Sequence, residues 1–261
     1  MFARAAHGYF INYFLLILIK VKTQIQISKI HRDKNKEMST IKLNLLKAEK
    51  IAIELFHEIE IRGLIVSGKD EATLNHEIFN LAKQLFNIEK HWHKRIVRCG
   101  ENTLYPYKNN PTNRIIQEND ILFFDFGPII NNWEADLGRT YVVGNDPLKN
   151  KLKSDIEKAW LETQEWFHKH TKLKASELFD FAVNKAKEYG WEFGGEIAGH
   201  LIGEFPHETI ELENNQYYIH PNNDLNLFEP DINGEKRYWI LELHFVDKKN
   251  KIGAFYEQLL N

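Results

Sequence analysis

Two apolar segments of the chain each contain a pair of acidic residues where apolar side chains would be more stable. The first segment, residues 121–144, reads ILFFDFGPIINNWEADLGRTYVVG, and ten residues separate Asp125 from Asp136. β-Rich arms on both sides of the turn-forming Asn131-Asn132 pair predict an antiparallel hairpin. The aspartates face each other directly if the turn centres just before Asn131, and lie as diagonal neighbours if it centres on the Asn pair. In both cases two like charges converge in an apolar setting, which is destabilising without a counter-charge.

The second segment, RYWILELHFVDKKNKIGAFYEQLLN, repeats this arrangement. Glu242 and Glu257 lie on two apolar arms, and a turn centred on Lys249-Asn250 places them directly opposite each other. Four carboxylates gathered in this way predict a site for one or two divalent metal ions. We therefore expect Asp136→Asn to stabilise or barely alter the metal-free protein while abolishing tight metal binding.

Between the two segments, GHLIGEFPHETI contains His200 and His207, which are seven positions apart. An imidazole beside carboxylates favours Mn, Fe, Co or Zn over Mg or Ca, because nitrogen ligands suit the transition metals better. The segment therefore adds a nitrogen donor to the predicted metal site.

These segments resemble the superfamily of methionine aminopeptidase, aminopeptidase P and prolidase, the pita-bread metallopeptidases. The resemblance is close over the second half of the chain and loose from about Met38 onward. In that family the site for two metal ions consists of an Asp, a second Asp after ten intervening residues, a His in a GHxIG-like segment and two late Glu. The resemblance implies five ligands in the same order: Asp125, Asp136, His200, Glu242 and Glu257. A further family His, seven residues beyond the ligand, contacts the substrate, and His207 takes that place.

The resemblance also implies an activity, which is the removal of the N-terminal residue from a peptide substrate. We favour the Xaa-Pro type over the initiator-methionine type. Two divalent ions, Mn in preference to Co, Fe or Zn, would lower the pKa of a bridging water, which then loses a proton near neutral pH and becomes the attacking hydroxide. Glu242 is implied as ligand and general acid/base, and His207 as a hydrogen-bond donor to the oxyanion. Creatinase-like C–N hydrolysis is a further alternative, although such relatives lack the metal ligands.

One family residue has no clear counterpart in this sequence. Family members often carry a His shortly after an SGEN-like segment, and RCGENTLYPY places Tyr107 there, or Pro106 with a one-residue shift. Neither side chain equals imidazole as a proton carrier at neutral pH. His91 or His93 of the nearby HWH could substitute, but we interpret both as surface residues because the stretch is charged. The missing His keeps open a second function, a peptidase-like module that binds peptide or protein with weak or no turnover.

Composition narrows the remaining classes of protein. The chain has 261 residues, of which 43% are hydrophobic and 27% charged, as in ordinary globular proteins. A net charge of −3 gives no reason to expect nucleic-acid binding. The single cysteine, Cys99, excludes an intramolecular disulfide and favours the reducing cytoplasm. Nothing in the composition decides between a monomer and a homodimer.

Residues 1–37 differ in character from the rest of the chain, and we treat them as an N-terminal extension. Their apolar run, Tyr9 to Ile19, is shorter than the ~20 residues of a membrane span. We interpret the extension as the result of a start codon assigned too early, with Met38 as the first residue and a membrane anchor as the alternative. Residues 38–261 are predicted to form a single catalytic domain.

Residue patterns after Met38 predict an α+β fold in which helices cover one face of a curved antiparallel sheet and the other face holds the site. The segment LIVSG, residues 64–68, and the segment RIVRCG are predicted strands. The last helix is expected to be capped by Ser176. The predicted helices are Ile41–Glu60, Glu71–Ile88, Pro147–His168 and Ser176–Tyr189.

Overall fold

The structure is a computed structural model, and it describes residues 40–207 and 215–261. The chain divides into two compact units, Met1–Leu43 and Asn44–Asn261. The predicted boundary at residue 38 and the apolar run Tyr9–Ile19 lie outside the described residues, and the domain assignment therefore remains a prediction. Within the described ranges, no helix combines the length and the apolar character that crossing a membrane requires.

The described residues form four α-helices, one 3₁₀ helix and nine strands, and the predicted helices are confirmed within about two residues. The helices are α1 (Thr40–Ile61), α2 (Glu71–Phe86), α3 (Pro147–His168) and α4 (Ala175–Glu188), and the 3₁₀ helix is Gly100–Leu104. The strands are β1 (Ile96–Cys99), β2 (Ile121–Phe126), β3 (Ile129–Ile130), β4 (Trp133–Glu134), β5 (Leu137–Val142), β6 (Glu192–Phe193), β7 (Gly199–Ile202), β8 (Tyr238–Asp247) and β9 (Ile252–Leu259).

Local hydrogen bonds explain where the helices begin and correct two expectations. The Asp146 side chain accepts from two backbone N–H groups at the start of α3, where Pro147 fits the first helical position. The expectation that Ser176 caps α4 is wrong, because the helix begins one residue earlier and Glu177 accepts from the N–H of Lys174 instead. The predicted strand at 64–68 is also wrong: Gly68, at φ +86°, lies in a turn after α1.

Seven strands form one antiparallel sheet in the order β1-β2-β5-β9-β8-β6, with β7 paired to β8, while β3 and β4 form a separate ribbon. Asn131 and Asn132 make the ribbon's two-residue turn at φ +52° and +67°, a backbone conformation that asparagine tolerates better than most residues. The turn is therefore centred on the Asn pair. Asp125 consequently lies opposite Gly138 and is a diagonal neighbour of Asp136, as the second of the two predicted registers requires.

Helices cover one face of this sheet. On β2, Leu122, Phe124 and Phe126 pack in a core with residues of α1 and α2. On β8, Leu241 and Leu243 pack in a second core with residues of α3 and α4. Because side chains alternate along a strand, the residues between them point to the opposite face. The site described below lies on that opposite face.

One row of paired residues crosses four strands on the face away from the helices. Asp125 pairs with Gly138, Gly138 with Glu257, and Glu257 with Glu242, which confirms the predicted direct opposition of the two glutamates. Paired residues of an antiparallel sheet project on the same side. A Cβ atom at Gly138 would lie only 2.5 Å from the Phe255 ring, so glycine is required in this row. The sheet thus aligns three carboxylates and leaves a gap between the first two.

Candidate metal centre

Asp136 occupies the centre of the site. It lies two residues before Gly138, which places it on the same face as the row of carboxylates. Its carboxylate is buried, and each oxygen is close to a different imidazole: Oδ1 is 3.2 Å from His93 Nε2, and Oδ2 is 3.1 Å from His200 Nε2. Asp136 is therefore in position to be shared by two neighbouring groups of ligands.

His200 and Glu257 form the first of these groups with Asp136. His200 Nε2 lies 3.6 Å from Glu257 Oε1. The other oxygen of Glu257, Oε2, is buried and has no hydrogen-bond partner among the described residues. A buried carboxylate oxygen without a donor is destabilising, and a cation would satisfy it. Glu242, which lies opposite Glu257, is only partly buried and lines the same cavity.

His93 and Asp125 form the second group with Asp136. The His93 side chain is buried, and its Nε2 lies 3.5 Å from Asp125 Oδ1. The interpretation of His93 as a surface residue is therefore wrong. His91, by contrast, belongs to neither of the two groups among the described residues, and its ring lies 6.2 Å from that of Phe79.

Backbone pairing explains why the HWH segment enters the site. The N–H of Trp92 donates to Gly127 O at 2.9 Å, and the N–H of Ile129 donates to Lys90 O at 3.0 Å, so the segment runs beside the start of the ribbon. A Cβ at Gly127 would lie 2.2 Å from the His93 ring and 2.4 Å from Trp92. Gly127, two residues after Asp125, is therefore the sequence signal that a bulky segment packs there. The charged residues that follow His93 led instead to the interpretation of a surface segment.

Burial and mutual repulsion shift the pKa values of the carboxylates. Burial raises the pKa of Asp125 to about 6 and that of Glu242 to about 7, and it raises the pKa of Glu257 well above its usual range. Burial also acts on Asp136, but the nearby imidazoles outweigh it and lower the pKa to about 2. The site without metal therefore keeps protons on some carboxylates, which is the behaviour expected of a cation-binding cluster.

The two imidazoles respond in the opposite sense to the same charges. Burial lowers the pKa of His93, but Asp136 and Asp125 together outweigh this effect and raise it to about 9. Burial also lowers the pKa of His200, but the carboxylates of Asp136 and Glu257 raise it by more, so it lies well above the ordinary value. Both rings thus act as counter-charges when no metal is bound.

His207 lies beside this cluster and is held by Glu134, a residue that the sequence analysis missed. His207 Nδ1 is 2.6 Å from Glu134 Oε2, and the backbone N–H of His207 donates to Oε1 at 3.1 Å. The Trp92 ring packs edge-on against both His200 and His207, with centroids 5.1 and 5.2 Å away. The sequence signal for Glu134 was an acidic residue in the middle of an apolar hairpin, two positions before Asp136.

These side chains open into a cavity of about 510 Å³. Tyr107, which the sequence places where the family often has His, forms part of its wall, with its ring 5.6 Å from that of His93. Pro106 lines the cavity as well. The structure thus brings to one cavity Asp125, Asp136, His200, His207, Glu242 and Glu257, together with His93. Carboxylate and imidazole donors in these numbers fit divalent ions of the Mn to Zn range.

Comparisons with known proteins identify the family of this chain. The family model described as Metallopeptidase family M24 matches residues 44–258. An Xaa-Pro dipeptidase of Pyrococcus horikoshii is 26% identical over 196 residues, which cover 73% of this chain and 54% of that protein. The chain thus spans about half the length of that relative.

Solved structures give the same result for the fold. A prolidase from Thermococcus sibiricus superposes with a TM-score of 0.62 and 24% identity, covering 81% of this chain and 53% of that one. A methionine aminopeptidase from Thermotoga maritima gives a TM-score of 0.60 and 16% identity, covering 82% of this chain and 89% of that one. These likenesses confirm the predicted α+β pita-bread fold.

Proposed function

The chain belongs to metallopeptidase family M24, and from that premise we propose that it is a metal-dependent aminopeptidase of the Xaa-Pro type. One observation carries the proposal. Four carboxylates and an imidazole in the order of the family's ligands converge on one face of the sheet, where Glu257 Oε2 is buried without a hydrogen-bond partner. Such an arrangement is unfavourable in a protein that binds no cation.

Five residues would hold two divalent ions, for which we favour Mn²⁺ over Co²⁺, Fe²⁺ or Zn²⁺. These residues are Asp125, Asp136, His200, Glu242 and Glu257. When bound, the ions supply Lewis acidity toward the peptide carbonyl and lower the pKa of a water molecule. The remaining chemistry falls to side chains that face the cavity.

Glu242 is the proposed general acid/base. Glu242 is partly exposed, whereas the other four proposed ligands are buried. Its carboxylate can therefore reach both a water molecule and a bound peptide. It would take a proton from the attacking water and deliver one to the leaving amine. His207 would donate a hydrogen bond from Nε2 to the oxyanion. This requires the ring to carry a proton on both nitrogens, because Nδ1–H donates to the carboxylate of Glu134.

The proposed substrate class rests on one curated relative and on the aromatic wall of the cavity. The curated relative reported above is an Xaa-Pro dipeptidase. The cavity wall includes the aromatic rings of Trp92, Tyr107 and Tyr218, which suit the apolar ring of a proline. We therefore favour peptides with proline in the second position. We also assign the protein to the cytoplasm, because its only cysteine is free and buried.

The test compares two variants of the metal-loaded protein. Glu242→Gln is expected to lower kcat by ~10²- to 10⁴-fold with little change in KM, because the proton transfer acts in the transition state. His207→Ala is expected to lose ~10²- to 10³-fold and to keep its full metal content. If His207→Ala loses the metal while Glu242→Gln keeps full activity, the assigned roles are wrong.

The substrates and the metals decide between the two candidate functions. The unmodified protein is assayed on Xaa-Pro peptides and on Met-peptides with Mn²⁺, Co²⁺, Fe²⁺ and Zn²⁺. Hydrolysis that requires proline supports the proposed class. Binding of peptide without hydrolysis under any of these conditions would leave the peptidase-like binding module, which Tyr107 in place of the family's His keeps open, as the function.

A further inference from the structure

We propose that His93 is a sixth metal ligand, so that each of the two ions is held by one imidazole. The proposal rests on the metal-dependent function above and goes beyond it, because the ligand set that the family resemblance implies contains a single His. Asp136 supplies the first observation. Its Oδ2 faces His200 and its Oδ1 faces His93, so the two rings lie on opposite sides of one shared carboxylate.

The distances from Nε2 to the neighbouring carboxylate oxygens are similar for the two rings, and they match the separation of two donor atoms that bind one ion. His200 Nε2 is 3.1 and 3.6 Å from oxygens of Asp136 and Glu257. His93 Nε2 is 3.2 and 3.5 Å from oxygens of Asp136 and Asp125. Two donor atoms that each lie ~2.0 to 2.2 Å from one ion at angles of about 90 to 110° are ~3 to 3.5 Å apart. Both groups therefore have the separations of atoms that can bind a common ion.

The orientation of both rings is fixed in the same way. His200 Nδ1 lies 2.7 Å from the backbone carbonyl oxygen of Leu201, and His93 Nδ1 lies 2.7 Å from that of Lys94. In each case the acceptor is the next residue along the chain. A hydrogen bond from Nδ1 to a backbone carbonyl is the usual support of a metal-binding histidine, because it directs the Nε2 lone pair at the ion. His93 has this support although it lies on a different element.

The surroundings of His93 hold the ring in place. The Trp92 and His93 rings meet edge-on at 4.4 Å, and the Trp92 indole N–H donates to Ala135 O at 3.2 Å. The ring also packs over Gly127, where no side chain could be accommodated. A buried and rigid imidazole of this kind is prepared for a ligand role, in which little freedom is lost on binding.

A matched pair of variants tests the proposal. His93→Gln removes the imidazole from the site. His91→Gln removes the other imidazole of the same HWH segment, whose ring lies 6.2 Å from that of Phe79 and which belongs to neither group of candidate ligands among the described residues. Metal binding is measured by titrating the chelator-treated proteins with Co²⁺ and following the visible absorption of the bound ion. Both variants are checked first for an unchanged far-UV spectrum.

We expect the unmodified protein and His91→Gln to bind two Co²⁺ ions per chain. His93→Gln should bind the first with similar affinity and the second at least ~10- to 100-fold more weakly, since removal of even an outer partner of a metal ligand has an effect of that size. Two ions bound by His93→Gln with unchanged affinity would overturn the proposal. A loss of kcat with that unchanged affinity would mean that His93 acts on the substrate and not on the ion.

A second measurement needs no variant and stays decisive if His93→Gln fails to fold. X-ray absorption of the unmodified protein loaded with two Co²⁺ ions counts imidazoles through their outer-shell scattering. We expect on average one imidazole per ion, and a value of one half, from His200 alone, would contradict the proposal. Failure of the proposed function itself has a different signature, because the unmodified protein would then bind no metal or would hydrolyse no peptide.

Discussion

Asp136→Asn is expected to destabilise the metal-free protein, which reverses the expectation from the sequence alone. The sequence shows a like-charge contact that an amide would relieve. In the structure each oxygen of Asp136 instead lies within hydrogen-bond distance of an imidazole, His93 at one and His200 at the other. Asp136 therefore has favourable partners at both oxygens. An asparagine can offer only one acceptor oxygen and would turn its NH₂ group toward the other ring.

The magnitude follows from the pKa of the buried carboxyl group. A pKa of about 2 in the folded protein, against the ordinary 3.8, corresponds to about 2 to 3 kcal/mol of stability at neutral pH. Asp125 stays near His93 in the variant and offsets part of the loss. We therefore expect the free energy of unfolding to fall by about 1 to 3 kcal/mol.

The contributions of Asp136 and His93 to the free energy of unfolding depend on pH in opposite directions. Because the pKa of Asp136 is lowered on folding, its contribution is present above about pH 4 and is lost as the pH falls through about 2. Because the pKa of His93 is raised to about 9, its contribution is complete below about pH 6.5 and is lost as the pH rises through about 9. The effect of Asp136→Asn should therefore be largest near pH 6 and smaller at pH 10.

Asp125→Asn is the matched control. Asp125 approaches only one imidazole, at 3.5 Å, and burial raises its pKa to about 6, so its charge opposes folding above that pH. The amide should leave the metal-free protein equally stable or more stable at pH 7.5. Urea unfolding of both variants with a chelator, at pH 6, 7.5 and 10, measures the contrast. A stabilised Asp136→Asn, or equal losses in the two variants, would refute the reasoning.

Three further outcomes are expected. Glu134→Gln should lower kcat by up to ~10²- to 10³-fold without changing the metal content, because the amide orients His207 less firmly; loss of metal in this variant would show that Glu134 supports the ligands. Glu71→Ala should lower the free energy of unfolding by about 1.5 to 3 kcal/mol in urea, because it leaves two backbone N–H groups and one side-chain amide without their acceptor. Gly138→Ala should lower it by about 1 to 3 kcal/mol through overpacking against Phe255, and unchanged stability would mean that the sheet adjusts freely.

Features set by local chemistry were predictable from the sequence. Counting from the polar DKKNK turn placed Glu242 opposite Glu257, as the structure confirms. For the first hairpin, counting left two registers, and the structure has the one centred on Asn131-Asn132. The predicted start of α3 at Pro147 is confirmed, and in the structure Asp146 caps it, whereas the cap predicted at Ser176 is wrong. These signals act over a few residues and need no knowledge of the tertiary structure.

Features that depend on distant contacts could not be predicted in this way. His93 is followed by Lys94 and Arg95, which is typical of a surface stretch, and only the packing of Trp92 against the ribbon shows that the ring is buried. Glu134 is recognisable as a partner of His207 only when residues 73 positions apart are brought together. The failed strand at 64–68 has the same origin, since this segment forms the connection between α1 and α2 and joins no strand of the described sheet.

The position of β9 between β5 and β8 determines at which step of folding the proposed metal ligands come together. Gly138 and Glu257 meet across that junction, and beside them Arg139 donates to Gln258, which is 119 residues away along the chain. Contacts of such long range carry a large loop-closure entropy and form late and slowly. Each hairpin alone contributes only two of the proposed carboxylate ligands, so the proposed set of five is incomplete until the two hairpins meet. Binding of an ion by the group of Asp136, His200 and Glu257 would therefore require that β9 has paired with β5, whereas the group of His93, Asp125 and Asp136 contains no residue of β9.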